Sequence, residues 1–352
     1  MYLEKLTNYS SSSLKNESEN SLLGDSKPSI SSIIGSKRIL FCDYMRLWLE
    51  IHRNKLQGNT YETYYGQIES HIYPYFAEEG IFLDEVTFDD IEEYYDYELS
   101  TGLSSNTVIR YHSNIFTAFK FAKKKHLIVD NPMDYVERPK PTKYIANYYN
   151  AEQLEMLFEI SKNYEIFVTI LIAAYLGLRR SEIVGLRWDC INFYQGTITI
   201  RRKAMRLRSK GEDVISEKLK TQASYRSLPL PKDLLEYLKK LRAYQKDQSK
   251  IVGYYSGDSA YVCLDHSGHR LELNSITGQF RGIILKYDLD YIRFHDLRHS
   301  CASLLLSLGY SLKQIQEWLG HSNIVTTANI YAHLDVKDKV GMADKINGAL
   351  KL

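Results

Sequence analysis

Residues 138 to 143 read Arg-Pro-Lys-Pro-Thr-Lys, and no regular element runs through such a stretch. Each proline lacks an amide donor and pushes the residue before it away from the helical region. Three positive charges in six residues favour extension further. The segment reads as part of a linker over 138–149, so the 352-residue chain has to build one core on each side of it.

On the amino-terminal side, residues 1–36 are Ser-rich and lack periodic apolar positions, which predicts a flexible arm. From residue 37 to 137 the period becomes helical. Leu40, Tyr44, Leu47, Trp48 and Ile51 share one face of a first helix. Asn59 can cap a second, carrying Tyr61, Tyr64, Tyr65, Ile68 and Ile72. Thr87 can cap a third, with Ile91, Tyr94, Tyr95 and Leu99. Asn106 can cap a fourth, with Val108, Tyr111, Ile115, Phe119 and Ala122. A compact four-helix bundle ending near Val136 follows.

Beyond the linker, residues 150–334 alternate helical patterns with a short strand-rich section. Residues 196–200 and 225–230 read as strands, and a tail over 335–352 carries Val340, Ala343, Ile346 and Leu350 as a thin apolar stripe. The fold class is mainly α with a small antiparallel β-sheet. No apolar run approaches the roughly 20 residues of a membrane span, and the start of the chain lacks a secretory pattern. A location inside the cell is expected, with no membrane partner. Cys42, Cys190, Cys263 and Cys301 are scattered, which points to reduced thiols rather than a zinc site or disulfides.

The net charge of +2 hides segregation. Ten acidic residues and no basic one lie between Glu78 and Glu98, whereas Arg201–Lys220 holds eight basic residues against three acidic. Such a basic stretch can serve as a phosphate-binding surface, or be an ordinary solvated face.

Several residues stand at positions suited to anion chemistry. Arg179 follows Gly177, a residue able to end a buried helix, and Glu182 comes three residues later. Asp296 can cap a helix that buries Leu297, Cys301, Leu304, Leu305 and Leu308, with His295 at its entry and Arg298 in its first turn. The helix dipole disfavours an arginine there unless an anion is near. Ser311 opens another helix, with Leu312, Ile315, Trp318 and Leu319 on its apolar face. Gly320 ends that helix with positive φ, and His321 follows at once. Tyr331 sits ten residues further on. Alone each is unremarkable: Gly-Leu-Arg turns are common, the chain holds 10 histidines, and Tyr331 is one of 29 tyrosines.

Together they resemble the tyrosine recombinases of the phage integrase family. The carrying pattern is Gly177-Leu-Arg179-x-Ser-Glu182, then Lys220-Thr-x-x-Ser-x-Arg-x-Leu-Pro, then His295-x-x-Arg298, then Leu319-Gly-His321 and Tyr331, in that order. The block from Phe294 to His333 is the most specific, and the likeness covers roughly residues 38 to 345. The resemblance implies a helical core-binding, SAM-like domain and a catalytic domain that grip DNA together. It implies Tyr331 as the nucleophile of a 3′-phosphotyrosyl bond, Arg179 and Arg298 holding the phosphate, and His295 assisting proton transfer. His321 would hydrogen-bond the phosphate, Lys220 would protonate the departing 5′-oxygen, and Glu182 would support the arginine.

The same resemblance implies no metal and no cofactor. It implies double-stranded DNA with specific recombination sites as partner, a homotetramer on DNA, an accessory directionality or bending protein, and a tail that docks on a neighbouring protomer. The stretch from Ile200 to Lys220 is longer than a tight hairpin needs, so Lys203, Lys210 and Lys218 compete for the acid role. Lys220 fits best because Thr221, Ser224 and Arg226 follow it. The chemistry suits these residue types: arginine's planar fork matches two phosphate oxygens, and a protein hydroxyl can hold the phosphate as an ester until a DNA hydroxyl takes it back. Competing readings are a type IB topoisomerase-like relaxing enzyme, a chromosome dimer resolvase, and an architectural DNA protein that has lost catalysis.

Overall fold

The structure is a computed structural model and describes residues 38–56, 58–142, 147–207, 210–217, 225–252 and 260–321. The expected arm over 1–36, Lys218 and Lys220, the segment carrying Tyr331 and the tail over 335–352 lie outside the described residues. The rest falls into two compact units. One comprises residues up to Glu50 together with Ile68–Lys140, and the other Ile51–Gln67 together with Pro141 onward.

The first unit is helical. Helix α1 (Phe41–Ile51) buries Phe41, Cys42, Tyr44, Met45, Trp48 and Leu49. Leu47 and Ile51, expected on that face, are half-buried. The expected second helix is interrupted: α2 (Gly58–Gln67), which groups with the other unit, is followed by a π turn (Ile68–Ile72) and then α3 (Tyr73–Glu79), which belong to this one. Pro74 stands in the first turn of α3 and offers no amide to the ladder before it, so the hydrogen-bond register changes there. Helix α2 starts at Gly58, so Asn59 lies inside it rather than capping it.

Helix α4 (Phe88–Ser100) begins at Thr87 as expected, and Thr87 and Asp90 close a reciprocal capping box. Helix α5 (Ser105–Lys124) is capped by Ser104, not Asn106: Ser104 Oγ already accepts from the Thr107 amide at 3.3 Å. Aromatic packing fills this core. Phe41 stacks on Phe119 at 5.0 Å and meets the edge of Phe76 at 4.7 Å, while the Tyr44 hydroxyl donates to the Ala118 carbonyl at 2.7 Å. Most of the acidic run lies on the surface here, but Glu98 is buried and meets His71 at 3.2 Å.

The second unit is built round α7 (Phe167–Leu176), whose sequence FVTILIAAYL is apolar on every side. Nine of its ten residues are buried, as the central helix of a core must be. Before it, α6 (Ala151–Ser161) starts in a capping box of Asn150 and Gln153. After it come α8 (Arg180–Val184), β1 (Ile191–Asn192), β2 (Thr197–Ile200), β3 (Lys203–Leu207), β4 (Glu212–Ser216) and β5 (Arg226–Pro229). Then follow α9 (Lys232–Val252), α10 (Leu273–Lys286), α11 (Asp296–Ser307) and α12 (Leu312–Leu319).

The two strands read from sequence are β2 and β5. They pair antiparallel, with Ile198 opposite Leu228 and Ile200 opposite Arg226, in a sheet of order β1-β2-β5. The extra length before Lys220 forms a separate hairpin, β3 with β4. Much of its positive charge is matched internally. Arg202 pairs with Asp189 and Glu217, and Arg206 with Asp213 and Glu272. Asp213 also accepts the Leu273 amide at 2.6 Å, which fastens the hairpin to the start of α10. Lys203 opens β3, and Lys210 lies in the turn between the two strands. All four cysteines are buried thiols.

Candidate active site

Gly177 ends α7 in the left-handed region, φ 62°. A Cβ there would collide with the Leu319 side chain and press on Cys301, so the turn demands glycine twice over, by backbone and by space. The turn delivers Arg179 to the start of α8. Its Nη1 donates to Glu182 Oε1 at 2.8 Å, and its backbone amide donates to Glu182 Oε2 at 3.0 Å. Glu182 is 3% exposed at its side chain, whereas Arg179 keeps 34% of its side chain open to solvent.

Helix α11 packs along α7 and carries the second group. Its cap residue is His295, and Asp296 does not cap it. The buried Asp296 carboxylate instead accepts the Arg293 amide and guanidinium at 2.8–3.0 Å. Leu308, expected in the core, follows the helix and is exposed. Arg298, third in the helix, is 1% exposed. Its Nη1 donates to Gly177 O at 2.6 Å, its Nη2 to Leu319 O at 2.8 Å and its Nε to His321 Nε2 at 3.2 Å. An arginine in this first turn therefore needs no bound anion to be accommodated, because two carbonyls and an imidazole already receive it.

Helix α12 supplies the meeting point. Ser311 caps it in a box with Gln314, and Gly320 ends it at φ 69°, both as the sequence predicts. Its last carbonyls are taken by arginines from three different elements. Arg226 Nε donates to Trp318 O at 3.1 Å, Arg298 Nη2 to Leu319 O at 2.8 Å and Arg179 Nη2 to Gly320 O at 3.2 Å. The carboxyl end of a helix carries partial negative charge, so three cations gather there favourably. His321 follows directly and is locked by a reciprocal pair of hydrogen bonds with Gln316: its amide to Gln316 O at 3.1 Å, and Gln316 Nε2 to its carbonyl at 3.0 Å.

Arg226 also reaches Glu182, Nη2 to Oε2 at 3.1 Å and Nη1 to Oε1 at 3.4 Å. Burial works against the Glu182 carboxylate, but the charge and hydrogen bonds of Arg226, together with Arg179, outweigh it and hold the acid below its usual range. Burial, then Arg298 and Arg179, pushes His321 down to about 3, so its ring is neutral. Since Nε2 accepts from Arg298, the proton sits on Nδ1. His295 is exposed by area, yet protein crowds its ring enough that desolvation and then Arg298 lower its pKa. His299, edge-on to His295 at 5.6 Å between ring centres, is lowered by burial as well.

The described residues thus bring together Arg179, Glu182, Arg298 and His321 directly, with His295 at the entry of the helix that carries Arg298. Arg226 joins them, a residue whose sequence signal was its place six positions after Lys220 in the motif. Three guanidinium groups against one carboxylate leave an excess of positive charge, fitted to a phosphodiester. Among the described residues no group of histidines, cysteines and carboxylates could hold a metal ion. No described helix is long and apolar enough to cross a membrane.

The sequence pattern of the Phage integrase family matches residues 147–338, more than half the chain, and that of the phage integrase N-terminal SAM-like domain matches residues 40–99. The chain belongs to the phage integrase family. It is a tyrosine recombinase, an enzyme that cleaves and religates DNA. A tyrosine recombinase XerC-like protein of Caldanaerobacter subterraneus is 27% identical over 87% of this chain and 82% of its own length. The ICEBs1 integrase of Bacillus subtilis is 26% identical over 90% of this chain and 84% of its own. The solved Tn1549 transposon integrase, in complex with transposon right end DNA, superimposes with a TM-score of 0.70 at 21% identity. That match covers 87% of this chain and 99% of the other, and it speaks to fold alone.

Proposed function

We propose that this integrase recombines DNA by a covalent relay through Tyr331, in the service of integrating and excising a mobile element. The phenolic oxygen of Tyr331 attacks the scissile phosphorus. The bond to the 5′-oxygen breaks, and the phosphate stays on the protein as a 3′-phosphotyrosyl ester. A 5′-hydroxyl from the partner duplex later attacks that ester and frees the tyrosine, so no bond energy is lost to water. Arg179 and Arg298 hold the non-bridging oxygens as charge builds on them. His295, kept neutral by its surroundings, accepts the phenol proton. His321 donates to the phosphate, Lys220 supplies the proton for the leaving 5′-oxygen, and Glu182 supports Arg179.

The observation that carries this reading is the gathering of Arg179, Arg298 and His321 at the end of α12, ten residues before Tyr331. Exchange of two duplexes requires four strand cleavages, which with one tyrosine per chain calls for four protomers on specific double-stranded sites. The relatedness to an ICEBs1 integrase favours mobile-element traffic over dimer resolution or plain relaxation. An accessory bending or directionality protein, a contact from the tail to a neighbouring protomer, and work in the bacterial cytoplasm complete the proposal.

The test uses a pool of nicked duplexes with randomised sequence, from which the full chain captures its own substrate as a denaturation-resistant adduct. Mass spectrometry is expected to map the linkage to Tyr331, and Tyr331→Phe to bind DNA without forming it. An adduct that survives Tyr331→Phe refutes the assignment.

A further inference from the structure

The sequence motif gives Arg226 no task, yet few side chains in the second unit are more tightly engaged. It starts β5, and its backbone is held opposite Ile200 in the sheet. Its side chain is 7% exposed and reaches two separate parts of the site. One edge of the guanidinium meets both oxygens of Glu182, and Nε meets the Trp318 carbonyl on α12. These contacts span 44 and 92 residues of sequence.

We propose that Arg226 is a positioning residue for DNA cleavage, acting through Glu182 on Arg179 and through α12 on the turn that presents His321. The proposal rests on the reading that Arg179 engages the scissile phosphate. Glu182 is buried and charged, so it draws strongly on any nearby cation. With Arg179 as its sole partner, it would neutralise the group that has to meet the DNA. Arg226 shares that carboxylate and binds both of its oxygens. Arg179 is then aimed by its Nη1 and amide contacts to Glu182 and its Nη2 contact to Gly320 O, with its charge left only partly matched for an anion. The second contact matters equally. Strand β5 leaves the segment bearing Lys220, and the bond from Arg226 to Trp318 O ties that strand to the helix end two residues before Gly320. Strand β5 and the helix end that receives Arg179 and Arg298 are thereby fixed to one another.

Lysine cannot replace this arrangement, because its ammonium presents donors from a single point whereas the guanidinium fork addresses a carboxylate and a carbonyl at once. The test is single-turnover cleavage at saturating protein, on the nicked duplex recovered from the randomised pool. Arg226→Gln and Arg226→Lys are expected to slow cleavage by about 10- to 1,000-fold, with DNA affinity changed by less than about threefold, as a residue without DNA contact requires. The double variant Arg226→Gln/Glu182→Gln is expected to be no slower than the slower single variant, since the two act as one unit.

A stereospecific phosphorothioate at the scissile position gives a readout that a general loss of structure would not move. The penalty for sulfur at the oxygen contacted by Arg179 is expected to shrink in Arg226→Lys as it does in Arg179→Ala. If Arg226→Gln does not fold, Arg226→Lys with this sulfur effect decides. Unaltered cleavage, or an unaltered sulfur effect in Arg226→Lys, overturns the proposal. Full cleavage by Arg179→Ala overturns the reading of the site and this proposal with it, whereas a slow Arg179→Ala beside a fast Arg226→Gln overturns this proposal alone.

Discussion

Arg298 Nε donates to His321 Nε2 across 3.2 Å, and that bond requires the imidazole to be neutral. The pKa of His321 is pushed down to about 3, first by burial and then by Arg298 itself. An unfolded chain takes up this proton near pH 6.5 and the folded one does not. Stability from this group is therefore fully present above roughly pH 6.5 and is lost as pH falls toward the folded value. Thermal unfolding of the wild type is expected to weaken more between pH 7 and pH 4.5 than that of His321→Asn. The asparagine carbonyl can still accept from Arg298 but does not titrate. Parallel curves would show that His321 titrates normally.

Gly177→Ala is expected to destabilise the fold by about 2–4 kcal/mol, combining a left-handed backbone with overpacking against Leu319 and Cys301. Urea unfolding measures it. Because the Gly177 carbonyl receives Arg298, cleavage should fall along with stability. A loss under about 0.5 kcal/mol, the range of a neutral surface change, would mean that Leu319 repacks freely.

Gln245 holds a buried relay in which Trp188 Nε1 donates to Oε1 at 3.0 Å and Nε2 donates to the Val262 carbonyl at 3.0 Å. Gln245→Met keeps the volume and strands both partners, at a cost of about 2–4 kcal/mol for two unsatisfied buried groups. Neither bond of the relay involves a proposed site residue, so cleavage below the melting temperature should be retained. Denaturant midpoints equal to wild type would contradict the relay.

DNA affinity should fall steeply with salt, and Arg179→Ala should make the slope of log K against log salt shallower by about one, the signature of one lost phosphate contact. Filter binding or anisotropy over a salt series measures it. An unchanged slope would place Arg179 away from the DNA backbone.

The helical architecture was legible because its signals are local. The unbroken apolar run of α7 has to be central. Thr87 and Ser311 cap the helices that follow them, and Gly177 and Gly320 take the left-handed turns predicted for them. Local signals also misled where two residues competed for one job. Ser104 outcompetes Asn106 because it lies where its oxygen reaches the third amide of α5. Asp296 turns back to Arg293 instead of capping α11. The stretch before Lys220 was legible only as a long hairpin, and its strands β3 and β4 were not, because Arg206 breaks the alternation and finds its carboxylates only in three dimensions. Arg179, Arg298 and His321 were readable as a pattern, whereas the way they share the end of α12 was not. Nothing in a linear text says that Trp318, Leu319 and Gly320 will each face a different arginine.

That shared helix end has a geometric corollary for the proposed nucleophile. Gly320 and His321 are clamped, and Tyr331 is tethered to them by ten residues. At no more than about 3.6 Å per residue, the tether confines the Cα of Tyr331 to a sphere of roughly 36 Å radius. Under the proposed mechanism the spacing between histidine and tyrosine thus acts as a ruler, and residues inserted into it would change which phosphates along the duplex the hydroxyl can touch.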